Sequence, residues 1–134
     1  MATAMGLVLL ALLHVYWGLG GRWPGCDRAA LAELVAGTRD MPSAIACHGV
    51  ASMLSFGALL VLAATDVLTL PLPRSAVALG AWALVAALAF RGIGGFFEAR
   101  WRPEIRSFRY HRWSLRLYSP LCLSLATLAA LELS

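Results

Sequence analysis

Four stretches of this chain carry almost nothing but apolar residues, and charged or proline-containing segments separate them. Met1 to Gly21 and Met41 to Thr65 are uncharged. Ser75 to Phe97 holds a single charge, Arg91, and Leu117 to Leu131 holds none and extends back through Trp113 to Leu115. A helix needs about 20 mostly apolar residues to cross a bilayer. Inside lipid every backbone group must find its partner within the segment, which makes helix the expectation for each block. The pattern therefore predicts an all-α, four-helix transmembrane bundle, one integral membrane domain with spans at about 2–20, 43–65, 75–97 and 113–133. The fourth block is the shortest and needs its flanks to reach across.

The intervening residues supply the stops and starts. Gly20-Gly21 ends the first helix. Asp27 to Val35 reads as a short interfacial helix with Asp27 as N-cap, Leu31, Leu34 and Val35 on one side, and Gly37 as terminator. Pro42 and Ser43 open the second span, Ser75 is a cap for the third, and Pro120 falls in the first turns of the fourth, where a missing N–H costs little. The first block has no basic leader and runs on into His14, Tyr16 and Trp17, so it reads as a retained span rather than a cleaved signal peptide.

Composition agrees with the blocks. The chain is 60% hydrophobic and 13% charged, against about 25% charged in soluble domains, too little to cover a water-facing surface. The net charge of +4 would suit nucleic acid, but its placement argues for topology instead. All the basic residues are Arg. Arg22, Arg28 and Arg39 lie between spans one and two, and Arg100, Arg102, Arg106, Arg109, Arg112 and Arg116 between spans three and four; the opposite side has Arg74 alone. The positive-inside rule then places the Arg-rich loops in the cytoplasm and both termini outside, in a multi-pass plasma-membrane protein. Trp17, Trp23, Trp101 and Trp113 sit at that same edge, as an aromatic belt does. The Arg-rich loops, interleaved with aromatics, suit anionic lipid headgroups rather than nucleic acid. Cys26, Cys47 and Cys122 form no CxxC pair and fall in the cytoplasmic half, where thiols stay reduced.

Candidate chemistry lies where polar residues interrupt the spans. By helical rise, His14 and His48 each sit roughly 7 to 10 Å inside the cytoplasmic edge of spans one and two. Arg91 is at a similar depth in span three, and Tyr118 opens span four. Ionisable groups within a span are costly and face the bundle interior or a wet cavity. A guanidinium does not deprotonate, so Arg91 needs an anion, a carbonyl or a snorkelling route to the interface. Glu98 lies two turns along the same face, reachable through a glycine-loosened helix end. His14, Tyr16, Trp17, His48, Arg91, Glu98 and Tyr118 are thus the candidate ligand-binding set. Three readings of the two histidines stay open: interhelical hydrogen bonding, the wall of a polar pocket, or joint ligation of a haem iron. No third ligand completes a metal set. No nucleophile–base pair, phosphate loop or carboxylate pair occurs in the spans, so no catalytic residue is assigned.

His14-x-Tyr16-Trp17-x-Leu19-Gly20-Gly21, Arg91-x-x-Gly94 and Tyr118-Ser119-Pro120-Leu121-Cys122 together resemble the bacterial membrane family called domain of unknown function 3995. The resemblance spans the whole chain and implies a four-span bundle, with no activity attached. Its pattern carries an acid after the third-span glycine and another four residues before the tyrosine. Those positions here are Gly95 and Ser114, which implies that Arg91 has lost those partners and turns to Glu98. The expected function is a small or lipid-like ligand held in a polar pocket on the cytoplasmic side. The alternatives are an assembly subunit without its own ligand, as a homo-oligomer or with a membrane partner, and a b-type haem protein.

Overall fold

The computed structural model describes all 134 residues, and the chain is helical throughout with no strand. The elements are α1 (Ala2–Gly18), α2 (Arg28–Val35), α3 (Ala44–Ala64), α4 (Arg74–Trp101), a 3₁₀ turn (Pro103–Ser107) and α5 (Arg109–Leu133). Three of these, α3, α4 and α5, are long and apolar enough to cross a membrane, and α1 is a shorter apolar helix.

Local chemistry explains most of the boundaries. Gly20 (φ +100°) closes α1 in a left-handed turn, with the Gly21 amide on the Tyr16 carbonyl and the Gly20 amide on that of Trp17. Asp27 caps α2 through the Ala30 amide at 2.7 Å, and Ser43 caps α3 through the Ala46 amide at 3.2 Å. The expected cap at Ser75 does not form. Helix α4 starts one residue earlier, at Arg74, after Pro73, whose fixed φ delivers the chain in extended form.

Two boundaries differ more. Helix α4 does not loosen at Gly92–Gly95 but continues to Trp101, because Gly92 and Gly95 are buried contacts with α5 rather than a chain end. Helix α5 starts at Arg109, so Pro120 is interior. It cannot donate to the Arg116 carbonyl one turn back, and its ring crowds that group. The chain responds with a π turn over Ser114–Tyr118, seen in the bond from the Ser119 amide to the Ser114 carbonyl.

Helix α1 packs along α3, α4 along α5, and α3 along α4, each pair antiparallel. Small residues make the seams. Ala4, Ala11, Ala51, Ala58, Ala81, Ala126 and Ala129 are buried, and Leu84 and Leu60 sit in the notches left by Gly57 and Gly80. Large apolar side chains point outward instead, with Ile45 85% and Phe90 80% exposed. Leu7 and Val61 are the largest side chains fully enclosed between the long helices. The small residues of α4 are only partly used in packing, since Ala76, Ala83 and Ala87 are exposed while Val77, Ala81 and Leu88 face inward.

The two Arg-rich connections meet at one end. There α2 lies against the start of α5, Arg102 donates to the Gly37 carbonyl at 3.4 Å and Tyr118 to the Leu34 carbonyl at 3.0 Å. At the other end the amino group of Met1 pairs with Glu132 at 2.6 Å and Arg74 with Asp66 at 2.6 Å.

Candidate ligand-binding site

The last three turns of α4, with Arg102 just past its end, carry two adjacent stripes. Phe90, Ile93, Phe97 and Trp101 form an apolar one; Arg91, Glu98 and Arg102 form a polar one, with Gly94 between them. Together with Tyr110 these eight residues line a groove of about 740 Å³. Its floor at Gly94 is open, with no atom within 4 Å of where a Cβ would stand.

The polar stripe is wired as a chain. Arg91 Nη2 donates to the Tyr110 hydroxyl at 2.8 Å, and that hydroxyl donates to Glu98 Oε2 at 2.8 Å. The other carboxylate oxygen of Glu98 accepts from Arg102 Nη1 at 3.0 Å. Arg102 Nη2 then reaches the Gly37 carbonyl, and its Nε pairs with Glu104 at 3.3 Å. Glu98 is part-buried, and both of its oxygens are occupied. Arg91 has no carboxylate within ion-pair distance; its only partner is a neutral phenol, and its remaining donors face the groove and the Gly95 notch.

The π turn in α5 builds the wall behind Arg91. In a regular α-helix residues five apart lie about 140° apart around the axis; a wider turn draws them toward one side. Ser114 and Ser119 both come to the Gly95 notch. A Cβ on Gly95 would meet Ser119 Oγ, with Arg91 Nη1 at 3.0 Å and Ser114 Oγ at 3.2 Å. Both serine hydroxyls are fully buried and have no hydrogen-bond partner. Gly37 (φ +64°) leaves room on the far side for the Tyr110 ring, 2.7 Å from where a Cβ would stand. The Tyr110 and Tyr118 rings lie 5.9 Å apart, and Tyr118 caps the last turn of α2, taking up one of its free carbonyls.

The structure does not bring the seven residues expected from sequence into one site. Arg91 and Glu98 share the groove. His14, Trp17 and His48 belong to the α1–α3 seam, and Tyr16 to the turn after α1. His14 Nδ1 bonds the Leu10 carbonyl of its own helix at 2.8 Å, and its ring meets Trp17 edge-on at 5.1 Å. The His48 ring lies on Gly18, 2.8 Å from where a Cβ would stand. Tyr16 folds over Gly21 and accepts from the Arg22 and Trp23 amides at 3.3 Å. Trp17 is buried, and its Nε1 donates to the Trp23 carbonyl at 2.8 Å. The recess beside His14 holds about 260 Å³, is mostly apolar, and is not lined by His48. Tyr118 stands between the two groups, since it packs on Tyr110 and lines a cleft of about 500 Å³ with Trp17. No group of three His, Cys, Asp or Glu side chains comes together anywhere.

Sequence reading missed Arg102, Tyr110, Ser119 and Gly37. Arg102 was within reach, because it follows Glu98 by four residues on a helix. Tyr110 was not: it is nineteen residues from Arg91 and across a connection.

The sequence profile of a family described as protein of unknown function (DUF3995) matches residues 7–129. The chain belongs to that family. No curated protein matches it, and no solved structure does. The motifs through which it resembles DUF3995 fall on the features above: Arg91 and Gly94 in the groove, Tyr118 to Pro120 at the π turn. Gly95 and Ser114 converge beside the Arg91 guanidinium. Glu98 reaches Arg91 through the Tyr110 hydroxyl, not through a loosened helix end.

Proposed function

We propose that this DUF3995 protein crosses the membrane four times and binds an anionic small or lipid-like ligand in the groove beside Arg91, at its cytoplasmic end. Insertion is supported by the inverted distribution of size: alanines inside, large apolar side chains outside. That arrangement suits a solvent as apolar as the side chains, where close approach of small residues replaces the hydrophobic effect. Helix α1, at 17 residues and about 25 Å long, reaches across with the help of Leu19 and the adjoining turn. Convergence of the Arg-rich connections at one end supports a cytoplasmic assignment for that end. Their unpaired Arg side chains also suit anionic headgroups.

One observation carries the binding reading. Arg91 places a guanidinium in an apolar helix and opens onto a groove whose one carboxylate, Glu98, is engaged by Tyr110 and Arg102. An anion there completes the arrangement, and the Phe90–Trp101 stripe accommodates an apolar tail. Native mass spectrometry of gently extracted protein tests this. Wild type is expected to retain an anionic adduct that Arg91→Gln loses; a wild-type protein carrying only neutral lipid would refute it.

A second reading, an assembly subunit, draws on the exposed Ala76, Ala83 and Ala87 of α4, which leave a face that another helix can approach. A uniformly monomeric mass in mild detergent would remove it.

A further inference from the structure

The start of α5 carries a second, separate feature. Arg109, Arg112 and Arg116 follow one another at spacings of three and four, so they share a face around Trp113. They line a recess of about 250 Å³ with no acid in it. None of the three enters an ion pair, and none donates a side-chain hydrogen bond, whereas Arg74, Arg91 and Arg102 all do. Arg109 and Trp113 also form one edge of the 500 Å³ cleft between α5 and the end of α1 with its following turn and α2. That cleft is apolar for most of its length, walled by Leu13, Trp17, Trp23, Leu34 and Leu117. Towards their other end α1 and α5 do meet, through Leu125 on Gly6 and Glu132 on the Met1 amino group, so the cleft is the part of their seam that side chains leave unfilled.

A cradle of unpaired guanidinium groups joined to an apolar, tryptophan-edged slot has the shape of one kind of molecule. We infer that a single anionic diacyl phospholipid binds here, its phosphate among Arg109, Arg112 and Arg116 and one acyl chain in the slot between α1 and α5. Guanidinium forks match phosphate oxygens and are weakly hydrated, which favours them over a diffuse surface attraction. The lipid fills a seam that the side chains leave open, and so couples the α1–α3 pair to the α4–α5 pair. The site is distinct from the Arg91 groove and shares no residue with it.

The inference rests on the four-span reading, and the test separates the two. Full-length protein is reconstituted into phosphatidylcholine vesicles containing phosphatidylglycerol, with bromine on the acyl chains of one lipid or the other, and tryptophan fluorescence is read. Brominated phosphatidylglycerol is expected to quench more than brominated phosphatidylcholine at equal mole fraction, and Trp113→Phe to remove part of that excess. Arg112→Gln with Arg116→Gln is expected to weaken the preference by roughly tenfold or more, since two charge-assisted contacts to one phosphate are lost. Arg100→Gln with Arg106→Gln, an equal loss of charge on the same connection, is expected to leave it. Equal quenching by both lipids overturns the site, as does an equal loss in both double variants, which is the signature of diffuse attraction. A preference lost with Arg91→Gln and kept in Arg112→Gln with Arg116→Gln moves the lipid to the other groove and also overturns it. Competition by inorganic phosphate at millimolar concentration overturns the choice of a lipid. Protein that cannot be reconstituted at all refutes the four-span reading and this inference together, whereas reconstituted protein without the preference refutes only this one.

Discussion

The α1–α3 pair and the α4–α5 pair both place ionisable groups in apolar helices, yet they use them in opposite ways. On the first side, His14 bonds a carbonyl of its own helix and His48 lies against Gly18, so both rings are part of how two helices fit. On the second, Arg91, Tyr110, Glu98 and Arg102 form a chain that ends with a guanidinium lacking any anion, at the edge of a groove. A polar residue in an apolar helix therefore carries no meaning until its partners are counted. Where neighbours satisfy it, it is packing; where a charge is left over beside open space, it is a candidate site.

That contrast can be tested by substitution, followed through thermal unfolding in mild detergent. The largest effect is expected at Gly95→Ala, whose new methyl collides with buried Ser119 and Arg91 at the α4–α5 seam; overpacking of this kind costs about 3 kcal/mol. Gly94→Ala, one residue away and open, is expected to be neutral or to gain up to about 1 kcal/mol of helix propensity. If the two residues exchange these behaviours, α4 is rotated from the orientation described.

Tyr110→Phe removes a hydroxyl that bridges a guanidinium and a carboxylate, and about 2 kcal/mol is expected for bonds to charged groups. It also leaves Arg91 and Glu98 without a link. A double-mutant cycle with Arg91→Gln is therefore expected to show coupling of about 1 kcal/mol, and additive losses would mean the chain is not a unit.

On the histidine side, Gly18→Ala is expected to cost about 1 kcal/mol by crowding the His48 ring. Adding His48→Ala should recover part of that loss. A double variant worse than the sum of its parts would place His48 in a role beyond packing.

The smallest effect is expected at Asp66→Asn, at the far end from the groove. Its pair with Arg74 is exposed on both sides and contributes at most about 0.5 kcal/mol. Asn also tolerates the left-handed conformation (φ +58°) that Asp66 adopts.

Hydropathy alone located the helices, because a run of apolar residues needs no partner to declare itself. The α2 cap at Asp27, the Ser43 cap and the glycine stop after α1 were equally legible, since each acts within three or four residues of itself. The ends of α4 and α5 were not. Glycine and proline mark breaks in isolation, but Gly92 and Gly95 are held helical by α5, and Pro120 is absorbed by a π turn whose cost neighbouring packing carries.

The same division governs the site. Local sequence decided that this chain is helical, that its basic residues cluster in two connections, and that Arg91 is an anomaly wherever it lies. It could not decide which helix faces meet, and so matched His14, His48, Arg91 and Tyr118 by depth alone. Depth is a one-dimensional property set by helical rise, whereas proximity also requires rotation about each axis and the order in which helices pack. Those were settled by contacts between distant residues: Gly18 with His48, Gly95 with Ser119, Tyr110 with Arg91 and Glu98.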